Sequence, residues 1–305
     1  MNIRFLPMSQ TEFSLPLAID FERARDYILG RACAQGGFSF YRTPEWGVDE
    51  PSAPDTFAAL AALRLLDVSP PDSQRHVNWL LNLQSDDGGW PTLTIGWAAC
   101  EGLRLLRHVP RRDPRRWLDR LLKRMTRKPQ AADSRHWGGT LVDGLRLARL
   151  CRLHAPELLE EARPALQQRL DAAAMPEGVW ARPGPDLETT GIALRLARLA
   201  DLRIDHERIA QWWRQCEDPQ LGLRLAPSAA ATSATALNGG LITAEVLSLP
   251  LRHPAAIAAQ ISLLQHPSGG FGARHGALAT LWDTWQALGA RQSLLRHITE
   301  ENRHE

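Results

Sequence analysis

The stretch QSDDGGW, Gln84 to Trp90, sets two carboxylates beside two glycines and an indole. Paired aspartates can ligate a metal, act as an acid catalyst, or simply turn the chain. Four further acids stand at or near the starts of apolar runs. They are Asp55 in APDTFAALAAL, Asp143 in VDGL, Glu188 in LETTGIAL and Asp283 in LWDTWQAL. A carboxylate there can do one of two jobs. As a capping or first-turn residue it stabilises a helix start by about 0.5–2 kcal/mol. Buried beside apolar rings it stays protonated and can serve as a proton donor. Asp283 has the surroundings for the second job, with Trp282 and Trp285 flanking it.

Other chemistries find little support. No G-x-S-x-G, P-loop or H-E-x-x-H run occurs. The histidines are scattered, and His136 and His275 come nearest to the starts of apolar runs. There they would line a mouth or cap a helix. Cys33, Cys100, Cys151 and Cys216 are far apart and form no C-x-x-C pair, which fits a reduced compartment better than a disulfide framework. Cys216 and Asp218 fall together in QCEDPQ, without a histidine partner for a metal.

The bulk properties narrow the class. A chain of 305 residues with 44% hydrophobic and 23% charged residues is globular rather than disordered. A net charge of +2 argues against a nucleic-acid partner. The N-terminus lacks a signal-peptide pattern, and no apolar run approaches the roughly 20 residues of a membrane span. The expectation is a soluble, cytoplasmic protein. One basic stretch, RRDPRRWLDRLLKRMTRK (111–128), surrounds Trp117, Leu118, Leu121, Leu122 and Met125 with nine cationic residues. It reads as a peripheral contact with an anionic membrane, as a contact with a diphosphate or a partner protein, or as a solvated outer helix packing its stripe inward. The last is the simplest.

The elements that must position these residues repeat. AQGGFSF, QSDDGGW and QHPSGGF are alike, and HWGG, PEGVW and PQLGL are weaker copies. With Gly36, Gly88, Gly138, Gly178, Gly222 and Gly269 as anchors, successive units are 40 to 52 residues apart. An Ala/Leu-rich run follows each anchor, at 55–66, 95–106, 142–153, 189–202, 241–251 and 283–290. Several are apolar nearly all round, as for helices buried on both sides. More amphipathic segments precede the anchors, at 73–84, 114–125 and 208–218. Strand signals are essentially missing. Each unit is therefore outer helix, Gly-rich turn, inner helix. Six such pairs in a ring predict an all-α, (α/α)6-type toroid, one domain over 1–305 with repeats from about 20 to 292. The small-residue stretch APSAAATSATALNGG (226–240) reads as a loop or lid ahead of the fifth inner helix.

A glutamine, then Gly-Gly-aromatic, then a helix opening near Asp-Thr resembles the prenyltransferase and squalene-oxidase repeat. Gln84 to Trp90 is similar to the QW motif of class II terpene cyclases such as squalene–hopene cyclase. APDTFAALAAL looks like an inner-helix start in those enzymes and in protein prenyltransferase β subunits. The resemblance covers about residues 30–292. It implies a barrel with a deep, apolar, aromatic-lined cavity for isoprenoid chains. The class II acid motif DxDD aligns with Ser52-Ala53-Pro54-Asp55, which keeps only the final aspartate. The zinc-binding DGC of β subunits aligns with VDGL, which keeps Asp143 but has Leu145 for the cysteine. No histidine opens the last inner helix, so a zinc site of that kind is not expected.

Together these residues lead to an isoprenoid-handling, terpene-cyclase-like enzyme as the expectation. Asp283 first and Asp55 second would protonate a polyprenyl substrate, with Asp143 and Glu188 as further candidates. Trp282, Trp285, Trp97, Trp137, Phe57 and His136 would line the pocket. No cofactor is expected, although a diphosphate substrate would bring Mg2+ with it. The alternatives are a β-subunit-like prenyltransferase needing a partner subunit, and a non-catalytic toroid that carries a lipid or peptide.

Overall fold

The computed structural model describes residues 18–40, 42–43, 48–126, 137–180 and 186–301. Twelve helices lie among them, alternating outer and inner. The outer set is α1 (Phe21–Leu29), α3 (Ser73–Asn82), α5 (Arg115–Thr126), α7 (Pro156–Ala173), α9 (His206–Cys216) and α11 (Pro254–Leu263). The inner set is α2 (Ala53–Leu65), α4 (Leu93–Leu105), α6 (Trp137–His154), α8 (Leu187–Ala200), α10 (Ala234–Leu247) and α12 (Leu281–Glu301). Three two-residue hairpins decorate the turns: β1 (Arg42–Thr43) with β2 (Val48–Asp49), β3 (Glu217–Asp218) with β4 (Gly222–Leu223), and β5 (Phe271–Gly272) with β6 (Ala279–Thr280).

The inner helices form a closed ring, each packing on the next from α2 through α12 and back to α2. Small residues make that possible. A Cβ on Gly191 of α8 would stand 2.8 Å from the backbone of Gly239 in α10, so these two helices touch through glycine. Alanines at 58, 59, 62, 98, 99, 193, 234, 236, 287 and 290 are fully buried. Outer helices bury only one stripe. In α5, Trp117, Leu118 and Leu122 pack inward, while Arg115 pairs with Glu157 and Arg120 with Asp87. From Arg115 to Thr126 the basic stretch is thus an outer helix whose apolar side is used in packing.

A capping residue starts every inner helix whose start is described in full. Ser52, Thr92, Asp186 and Ser233 accept the N–H three residues on, and Thr280 does so from Asp283. The turn before the helix is latched to it. Thr56 Oγ1 accepts the Phe38 N–H at 2.9 Å, and Thr284 Oγ1 accepts the Phe271 N–H at the same distance. The recurring Asp-Thr is therefore a cap followed by a latch.

The aspartates of QSDDGGW belong to the turn. Asp87 Oδ1 accepts the Gly89 N–H at 3.1 Å, and Asp86 pairs with Arg112 at 2.8 Å. Gly88 has φ +84°, and a Cβ there would meet the Asp113 carbonyl oxygen at 2.5 Å. Gly89 does not share that positive φ; it is small because the Trp117 ring lies 2.5 Å from where its Cβ would be.

Four expectations need correction. Gly138 is no turn anchor but lies inside α6, which begins at Trp137, before the expected start at 142. In the 226–240 stretch, residues 234–240 are the first half of α10, since alanine and Ser233 as N-cap favour helix over loop. The expected 241–251 helix accordingly ends at Leu247. The last inner helix runs to Glu301, well past 290. Among the described residues no helix is long and apolar enough to cross a membrane.

Candidate functional site

Residues of intermediate exposure recur on the inner helices at helical spacing. They include Thr94 on α4, Leu145, Arg146 and Arg149 on α6, Ile192 and Arg195 on α8, and Trp282 and Trp285 on α12. Residues three or four apart share one helix face. Within a closed ring of helices, such a partly accessible face marks the lumen.

Four aromatic rings meet there. Phe57 of α2 lies edge-on to Trp97 of α4 at 4.5 Å and to Trp285 of α12 at 4.9 Å. Trp282 lies 4.9 Å from Trp285 and 6.4 Å from Trp97. The cluster therefore joins three inner helices, near their N-terminal ends. Phe57 and Trp97 are buried, whereas Trp282 and Trp285 remain partly open. Arg146 covers Trp97, its guanidinium carbon 5.2 Å from the ring centroid, and donates to Thr94 Oγ1 at 2.8 Å. The turn residue Trp90 instead lies edge-on to Trp117 at 5.2 Å in the outer wall, and Trp180 donates its indole N–H to the Leu170 carbonyl.

Asp283 and Asp55 occupy equivalent first-turn positions. Thr280 Oγ1 donates to Asp283 Oδ2 at 2.7 Å, and Ser52 Oγ donates to Asp55 Oδ2 at 2.5 Å. Each is thus a reciprocal cap. Each carboxyl is also held above its usual range by burial, against the opposing hydroxyl hydrogen bond and, at Asp55, the Phe40 N–H. Both acids act electrostatically on Tyr27 of α1, whose hydroxyl donates to the Ala279 carbonyl at 2.8 Å. Burial raises the Tyr27 phenol, and Arg31, 5.0 Å above its ring, works against that rise. The sequence reading missed Tyr27, on an ordinary amphipathic helix, and Arg31, just past its C-cap, neither of which carries a motif.

The remaining candidates separate. Asp143 pairs with Arg146 at 3.3 Å. Glu188 is half-buried in the first turn of α8. His275 lies in an exposed loop, its Nδ1 3.0 Å from the Leu263 carbonyl oxygen. His136 and the Trp137 side chain lie outside the described residues. Among the described residues no zinc set assembles: Asp143 is engaged by arginine, Leu145 offers no ligand atom, and no three His, Cys, Asp or Glu side chains gather to hold a metal.

Below the rings, Glu101 of α4 is almost wholly buried, with 2% of its side chain exposed. Arg149 of α6 grips it through Nε and Nη2, and Arg104 Nε adds a bond at 2.8 Å. Burial alone would push this carboxyl up, but the two arginines outweigh it and hold it below its ordinary range. A separate groove of about 510 Å3 opens in the outer wall beside Trp90, Thr92, Trp117 and Arg124; Asp87 and Arg120 in its wall are paired with each other.

The family description "Prenyltransferase alpha-alpha toroid domain" matches residues 3–125 and 193–303. Protein geranylgeranyltransferase-I of Candida albicans, complexed with GGPP, has a similar structure, with TM-score 0.64, 12% identity and 92% of each chain covered. A protein from Actinoplanes is similar at TM-score 0.53 and 16% identity, over 90% of this chain and 98% of that one. So is a type II terpene cyclase from Scytonema bound to its product merosterolic acid A, at TM-score 0.53 and 11% identity, over 91% and 96%. At such identities the likeness is one of fold. No curated protein sequence matches this chain.

Proposed function

Because the chain belongs to the prenyltransferase alpha-alpha toroid family, we propose that it is an isoprenoid-handling enzyme of the terpene-cyclase kind. The observation that carries this reading is the four-ring cluster of Phe57, Trp97, Trp282 and Trp285 at the mouth of the ring of inner helices. Such a wall excludes water and offers π faces to positive charge. Arg146 already covers Trp97, which leaves the partly open Trp282 and Trp285 as the faces available to a ligand.

In this reading Asp283, between those two tryptophans in the chain, is the proton donor, and Asp55 is the second candidate. Burial favours the neutral acid in both. Protonated Asp283 would give its proton to a terminal alkene carbon. The cation formed would be held over the rings until loss of a proton ends the reaction. The absence of DxDD means that the acid is relocated rather than inherited. Asp143 and Glu188 would then shape the polar lip. A diphosphate substrate would bring Mg2+ with it, and neither is required by the acid step.

The test is to incubate the full chain with geranylgeranyl diphosphate, squalene and related polyenes, with products separated by gas chromatography and mass spectrometry. Cyclised or isomerised hydrocarbon supports the reading. Tight binding of the same compounds without turnover would instead make the protein a lipid-carrying toroid.

A further inference from the structure

A layer of charge crosses the lumen below the aromatic rings. Nine residues after their N-caps, α4 and α8 present Glu101 and Arg195, and α6 lies between them with Arg149. Glu101 is fully committed to Arg149 and Arg104. Glu245 of α10, on the other side, is paired with Arg296 at 2.8 Å. Both neighbouring acids are therefore taken. Arg195 is enclosed by protein yet keeps part of its side chain accessible, on the face that carries Ile192 one turn above. It has no hydrogen bond or ion pair among the described residues. Burial first, then the like charge of Arg149, lowers its pKa to about 10, with only a partial offset from Glu245.

An enclosed guanidinium without a counter-ion among the described residues is costly. A fold gains nothing structural from it, and a leucine or methionine would fill the same place without the charge. The arrangement makes sense when something bound in the lumen brings the negative charge. Guanidinium presents parallel N–H donors that match the two oxygens of a carboxylate or phosphate. At the mouth the starts of the inner helices carry Asp55, Asp143, Glu188 and Asp283, and Arg146 there is already bound to Asp143 and Thr94. An anion is therefore better placed at the floor than at the lip.

We propose that Arg195 is an oxyanion anchor in the lumen, so that the ligand is an amphiphile with a carboxylate or phosphate head against Arg195 and an apolar chain rising past Ile192 toward Trp282 and Trp285. The apolar half of that ligand rests on the isoprenoid reading; the anion site does not.

Three probes separate the two: inorganic pyrophosphate, a C20 polyprenoic acid and the matching C20 alcohol. Thermal unfolding and tryptophan-quench titration are run on the full chain and on Arg195→Met and Arg195→Gln. Wild type should bind the acid at least about tenfold tighter than the alcohol, and the variants should lose that preference. Pyrophosphate should raise the wild-type melting temperature beyond sodium chloride at equal ionic strength, and should not do so in the variants. A response to one anion alone identifies the head group. Without ligand, Arg195→Met should melt no lower than wild type, because an uncompensated charge has been removed. A variant several degrees less stable would mean that Arg195 has a partner within the fold, and would overturn the proposal. Equal binding of acid and alcohol by wild type, with no Arg195-dependent response to pyrophosphate, would overturn it while leaving the isoprenoid reading intact. An Arg195-dependent response to pyrophosphate, with neither C20 compound bound, would do the reverse.

Discussion

Gln265 and Asp20, 245 residues apart, close the ring. The Asp20 N–H donates to Gln265 Oε1 at 2.9 Å, and Gln265 Nε2 returns a bond to the Asp20 carbonyl at 2.8 Å. Gln84, the matching glutamine of QSDDGGW, makes the same exchange with Arg112, and Gln167, inside α7, makes it with Arg203. The glutamine at 84 and 265 is therefore a clamp that fastens one unit to the start of the next outer helix. At Gln265 it fastens the last unit to the first. Gln265→Ala should cost about 1–2 kcal/mol and loosen α1 specifically. Hydrogen exchange should show faster amides over residues 20–29 and unchanged protection in α8. Uniform loss of protection, or none, would contradict the clamp.

The Thr284 latch should be worth more than an exposed hydrogen bond, since it satisfies the N–H of fully buried Phe271. Thr284→Val leaves that donor empty and should cost about 1–3 kcal/mol, read as a lower urea midpoint at unchanged slope. Thr284→Ser keeps the oxygen and should recover most of the loss.

Glu101 holds two arginines together at a buried site, so its removal leaves their charge uncompensated. Glu101→Gln should destabilise by about 3 kcal/mol. Arg104 and Arg149 both retain some access to water, which keeps the effect toward the lower end for a buried pair. Because this carboxyl is held below its ordinary range, its contribution is present above about pH 4.5 and fades as pH falls through the lowered value. The difference between wild type and variant should therefore shrink in acid.

Asp55 and Asp283 have the opposite sign. Their folded-state pKa values are raised, so folding takes up protons just above the ordinary carboxylate range. Stability should fall as pH rises from about 4 through that window, then level off. Asp55→Asn/Asp283→Asn should remove this component. Melting temperatures of wild type and variant, subtracted across pH 4 to 8, would show it as a declining difference; a flat difference would mean that neither carboxyl is shifted.

The fold was legible because it recurs. Any one Gly-Gly-aromatic stretch is weak, but several copies at similar spacing specify helix pairs in a ring. Recurrence also settled Asp86 and Asp87, which the other copies lack and which the turn here uses for an Asx bond and surface pairs. It misled at Gly138, where a Gly-Gly pair opens a helix instead of a turn. The acids at inner-helix starts were recognisable as caps or donors, and the geometry makes two of them, Asp55 and Asp283, caps with raised pKa values. Tyr27, Arg31 and Arg195 were not legible. Their roles depend on which residues face them across the ring, and LRLARL reads like any amphipathic arginine-bearing helix.

The central claim is that Asp283 donates a proton to an isoprenoid held against Trp282 and Trp285. Its most direct test is single-turnover conversion of whichever polyene the wild type accepts, measured for wild type and Asp283→Asn alongside tryptophan-quench binding. Asparagine retains an acceptor for Thr280, so the fold and the binding constant should persist. Conversion should fall by about 10²–10⁴-fold. Equal rates in the two proteins, with binding intact, would contradict the account and return Asp283 to the role of a helix cap.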